Sequence, residues 1–158
     1  MRTTTPSTYT GASGAGNVFL TNNAAAKTYL IAGFSTTGYA PITLSFGVYK
    51  NSTTSNGSEL SVEYSTSGIA GPWNIITIPA LPTGTGTAIW HYVTSTGVIP
   101  SGANAIRFTN TNATSPQFRI DDITLTGTPS TSTSEIQLQQ PVGSDATCGF
   151  SYSSGTQL

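Results

Sequence analysis

Six side-chain carboxylates, one histidine and one cysteine are the groups whose spacing bears on acid–base, thiol or metal chemistry. Glu59 and Glu63 stand four apart on one alternating stretch, about 13 Å by strand rise. Glycosidase carboxylates sit roughly 5–9.5 Å apart, so this pair reads as a solvated strand face. His91, between Trp90 and Tyr92, reads as a solvent-facing strand histidine or as a ligand contact. A nucleophile needs a base beside it, and Cys148 has no histidine near it in the sequence. Zinc would need a His/Cys cluster. No catalytic residue is assigned, and the expectation is a protein that is not an enzyme. Asp121-Asp122 differs. Phe118 and Ile120 share one strand phase while Ile123 and Leu125 share the other. The phase must therefore slip at the two aspartates, and a β-bulge is the usual device. Carboxylates there could receive Ca²⁺, which favours hard oxygen ligands, or could cap the bulge by accepting backbone N–H groups.

The aromatic residues form the other chemical set. Stacking on a sugar ring needs exposed aromatic faces, and the candidates for ligand contact are Tyr49, Trp73, Trp90, His91 and Tyr92. Tyr49 is out of phase with Phe46 and Val48 and should face away from their side. The competing reading puts the tryptophans and tyrosines in the core.

The elements that must position these residues are strands. Helix signals are nearly absent; Asn22 to Lys27 is at most one turn. Residues 17–20 and 27–32 read as short strands. Ile42, Leu44, Phe46 and Val48 alternate with Thr43, Ser45, Gly47 and Tyr49, a period-2 pattern. Leu60, Val62 and Tyr64 form the inward set of a further strand. Others are expected over 73–78, 87–93, at Ile106 and Phe108 with Arg107 outward, and over 118–126. Short strands between Gly, Pro and Asn turns suggest a sandwich or barrel.

Composition narrows the functional classes. Only 7% of residues are charged and the net charge is −1, which excludes the clustered cations of a nucleic-acid footprint. A single cysteine permits no internal disulfide. No apolar run approaches the ~18 residues of a membrane span, and the start of the chain lacks the apolar stretch of a leader. After Thr128 the composition changes. Residues 129–134 read as a Ser/Thr linker, and 135–158 as a fragment of a following β domain, opened by the alternating Ile136 and Leu138.

Five segments carry a family resemblance: Tyr9-Thr10-Gly11-Ala12-Ser13-Gly14, Asn17-Val18-Phe19-Leu20-Thr21, Leu44-Ser45-Phe46-Gly47, Glu59-Leu60-Ser61-Val62-Glu63 and Phe118 to Gly127. Together they resemble the jelly-roll modules, galactose-binding-like or carbohydrate-binding-module-like, of secreted Bacteroidota multidomain proteins. The resemblance covers residues 7–128 and implies an all-β, two-sheet antiparallel jelly-roll-like sandwich, with a linker and a truncated β tail. It further implies a structural Ca²⁺ at Asp121 and Asp122, and a secreted or cell-surface location. The expected role is a non-catalytic binding module directed at polysaccharide or glycan, accessory to a larger exported protein. A structural or assembly domain is the alternative. Members of that family carry a first strand ahead of the Tyr-Thr-Gly-Ala-Ser segment, where eight residues stand here. The chain is accordingly expected to be an excised piece that either self-associates by strand addition or folds as a monomer with residues 3–10 as a shortened first strand, without nucleic acid and without membrane insertion.

Overall fold

The computed structural model describes residues 6–14, 16–22, 25–111 and 116–130. Eight strands follow in order: β1 (Val18–Leu20), β2 (Lys27–Ala32), β3 (Tyr39–Lys50), β4 (Leu60–Ser65), β5 (Asn74–Ile75), β6 (Trp90–Thr94), β7 (Ala105–Asn110) and β8 (Phe118–Pro129). They make two four-stranded sheets, ordered β1-β8-β3-β6 and β2-β7-β4-β5, and every pairing is antiparallel. The chain crosses between the sheets at every connection except β4 to β5, an interleaving that defines a jelly roll. The expected fold class is therefore the observed one. Among the described residues no helix is long and apolar enough to cross a membrane.

The alternating residues place the core. Ile42, Leu44, Phe46 and Val48 of β3 face Leu60 and Val62 of β4, Ile106 and Phe108 of β7, and Phe118 and Ile120 of β8, all of them buried. Phe46 and Phe108 meet edge to face across the two sheets, with ring centroids 5.0 Å apart. Each fully buried side chain of this kind contributes roughly 1.5–3 kcal/mol. Lys50 continues the inward phase of β3 and is wholly buried. Its Nζ donates to the Ser52 carbonyl at 2.7 Å and to Thr87 Oγ1 at 3.2 Å, tying together the loops before β4 and β6. Burial pulls its pKa down, against a smaller upward pull from Glu59.

Two strands are shorter than their patterns suggest. Only Asn74–Ile75 of the 73–78 stretch pairs as β5, although Ile76 still donates to the Val62 carbonyl. Pro79 and Pro82, without N–H groups, follow where the chain leaves this sheet. Residues 84–87 close a turn, Thr87 N–H to the Gly84 carbonyl, so β6 begins only at Trp90.

The expected slip in β8 is present. Ser45 pairs with Thr124 and Gly47 with Asp121, so two steps along β3 oppose three along β8. Asp122 takes the left-handed conformation (φ 47°). This extra residue lets Phe118 and Ile120 lie in the core while Ile123 and Leu125 pack against the same core. β1 pairs with Phe118–Ile120, at the start of β8. From Ile123 to Pro129, no strand among the described residues pairs with the edge of β8 that faces away from β3. Most of the expected linker, the β fragment 135–158 and Cys148 lie outside the described residues, as does part of the stretch from Asn22 to Lys27.

Candidate functional site

The outer face of the β1-β8-β3-β6 sheet gathers the aromatic residues. Tyr49 lies directly opposite Trp90 on one side and Arg119 on the other, and Arg119 lies opposite Phe19. Directly opposed residues in an antiparallel pair share a face. A single row, Trp90–Tyr49–Arg119–Phe19, therefore runs across all four strands. Tyr49 and Trp90 have ring centroids 5.8 Å apart. The Arg119 guanidinium stands 4.8 Å from the Tyr49 ring and 5.4 Å from the Phe19 ring, within cation–π range of both. Two donors in this row, Trp90 Nε1 and Arg119 Nε, are buried without a hydrogen-bond partner among the described residues.

The next row is Tyr92, Gly47 and Asp121. Gly47 leaves a notch in the face, and the ring of Tyr9 fills it; a β-carbon at position 47 would collide with that ring. Tyr9 also packs against Tyr92 (5.2 Å) and Trp90 (6.2 Å). Tyr92 is half exposed, whereas Trp90 is covered.

Asp121 and Asp122 hold down the segment that carries Tyr9. Ser7 Oγ donates to Asp121 Oδ2 at 2.7 Å, and Gly14 N–H donates to Ser7 Oγ at 3.3 Å. The Tyr9 phenol and the Ser13 N–H (3.0 Å) both donate to Asp122 Oδ2. Asp121 Oδ1 accepts the Asp122 N–H at 2.9 Å. These donors hold the Asp122 carboxyl below its ordinary range. Burial, then the bond to Asp122, raises the Tyr9 phenol well above its own. Three of the four carboxylate oxygens thus already accept protein donors. Ca²⁺ takes 6–8 oxygen ligands, and no group of three or more His, Cys, Asp or Glu residues converges among the described residues. As arranged, the pair holds the bulge and the segment that carries Tyr9.

The remaining candidates lie elsewhere. His91 is opposite Val48, on the reverse face of β6 from Trp90 and Tyr92, and its Nε2 is 3.1 Å from the Thr87 carbonyl. That contact places a proton on Nε2 and gives the ring a loop-anchoring role. Trp73 precedes β5 in the other sheet and lies beneath the Arg107 guanidinium at 4.3 Å. Arg107 pairs with Glu63 through two bonds, at 2.6 and 2.9 Å. Of the five aromatic and histidine candidates, the structure brings together Tyr49, Trp90 and Tyr92.

No family model, no curated protein and no solved structure matches the chain. The jelly roll rests on strand order alone. Three members of the aromatic face were not singled out from sequence: Phe19, Arg119 and Tyr9. The outward phase of Phe19 and Arg119 was available in the alternation of β1 and β8. For Tyr9 the signal was Gly47, because a glycine inside an otherwise regular strand marks a close approach by another group.

Proposed function

We propose that the chain is a non-catalytic binding module, and that its ligand is a polysaccharide or glycan held on the outer face of the β1-β8-β3-β6 sheet. The observation that supports this reading is the row Trp90–Tyr49–Arg119–Phe19 with half-exposed Tyr92 beside it. Sugars present C–H faces to aromatic rings and hydroxyl oxygens to N–H donors, and this face offers both. Near-neutral charge suits an uncharged polymer. On this reading the module accompanies a larger exported protein, at the cell surface or beyond it.

Affinity electrophoresis of the full chain through gels of neutral polysaccharides tests the reading, beside a glycan array. Tyr92→Ala and Tyr49→Ala should each weaken retardation about tenfold, equivalent to about 1.4 kcal/mol. Trp73→Ala, on the opposite sheet, should leave it unchanged. A flat response across polysaccharides and array, or equal losses from Tyr92→Ala and Trp73→Ala, would overturn it.

A further inference from the structure

Tyr9 sits in a site that the sheet builds without it. Gly47 of β3 is the floor, since a β-carbon there would collide with the Tyr9 ring. Tyr92 and Trp90 of β6 are the walls, with ring centroids 5.2 and 6.2 Å from that of Tyr9. The Asp122 carboxylate accepts the phenol at the far end. Each of these contacts asks for something simple: a ring of modest size, a face for two aromatic walls, and a hydroxyl for a carboxylate, which can only accept. A sugar unit supplies the same three, through its ring, its C–H face and its hydroxyl groups.

The segment that brings Tyr9 there is lightly held. Residues 6–14 pair with no strand among the described residues, and of those nine Ser7 alone is buried. Side chains of β8 tie the segment down: Asp121 accepts from Ser7 Oγ, and Asp122 from the Tyr9 phenol and the Ser13 N–H. Stretches with few buried contacts and no backbone ladder open at far lower free energy than the strands beneath them. Opening here would uncover Trp90, which is buried, beside Tyr92, which is already half exposed.

We propose that Tyr9 is a built-in competitor: its ring fills a subsite for one sugar unit, bounded by Gly47, Trp90, Tyr92 and Asp122, and residues 6–14 lift when a glycan takes its place. This rests on the glycan reading of the same face and adds a closed and an open state to it. A ligand that needs the open state binds with its affinity reduced by the open fraction, so a strap open about one part in ten costs tenfold.

Affinity electrophoresis of the full chain through hydroxyethylcellulose, galactomannan and arabinoxylan gels tests this. A Trp73→Phe parent leaves Trp90 as the one tryptophan to report by fluorescence. Adding Tyr9→Ala should tighten binding about tenfold, and acrylamide should quench Trp90 at least threefold more efficiently than in the parent. If the parent is retarded and Tyr9→Ala is retarded equally or less, the competitor is overturned and the glycan reading stands. Retardation of neither chain in any gel, with a flat array, overturns the glycan reading and the competitor with it. Equal quenching of Trp90 in the two chains also overturns the competitor. Should Tyr9→Ala lose its cooperative urea transition, Tyr9→Phe decides, because it keeps the ring and gives up the bond to Asp122. Tighter binding than the parent then supports the competitor, and equal or weaker binding overturns it.

Discussion

Asp122 is the non-glycine residue with positive φ among those described, a conformation that costs an L-residue roughly 1–2 kcal/mol. Its carboxylate offsets that cost by holding the Tyr9 phenol and the Ser13 amide. Both bonds lower its pKa from the ordinary 3.8, which sets the sign of the pH effect. The folded state binds this proton less readily than the unfolded state, so the contribution is full above 3.8 and is lost as pH falls through the lowered value. Tyr9 works oppositely: its raised pKa makes its contribution full below 10 and lost at higher pH. Tyr9→Phe should therefore destabilise the chain by about 1 kcal/mol at neutral pH, with the difference from wild type shrinking towards pH 2. Thermal melts between pH 2 and 7 would show it, and a constant offset across that range would count against the latch.

Among the elements, β8 shows most clearly what a sequence can and cannot disclose. Its bulge was legible because Phe118 and Ile120 conflict in phase with Ile123 and Leu125, and only an extra residue reconciles them. The strands of the core were legible for the same reason, since period-2 alternation is local information. Which strands lie side by side is not local. Tyr49 meets Arg119 only because β3 and β8 pair across a long stretch of chain, and Trp73 and Trp90 part company because β5 and β6 belong to different sheets. Nor does alternation say whether an outward aromatic will be covered, as Trp90 is by Tyr9. The bulge yields a sharp prediction. Deleting Asp122 restores a regular register and turns Ile123 and Leu125 to the outer face. Loss of two packed aliphatic side chains from the core should cost at least about 3 kcal/mol, read as a fall in the urea midpoint. An unchanged midpoint would show that the core does not depend on the slip.

At the scale of the whole molecule, six acids and five basic groups leave few owners for its pH dependence. On the alkaline side Lys50 acts in the opposite sense to Tyr9. Burial lowers its pKa from the ordinary 10.5, so between that lowered value and 10.5 the unfolded chain binds more protons and stability rises with pH. Denaturant titrations from pH 7 to 10 should show that rise, and Lys50→Met should abolish it; a rise that persists in the variant would place its origin elsewhere. The four basic residues among those described also share a location. Lys27, Lys50, Arg107 and Arg119 all lie on strands; Lys50 is wholly buried, Arg107 is paired with Glu63, and Arg119 stands between two rings. The described loops, where proteolytic nicking concentrates, carry neither lysine nor arginine. A protease of trypsin-like specificity therefore finds no lysine or arginine in the described loops, and reaches those on the strands only after the strands themselves come apart.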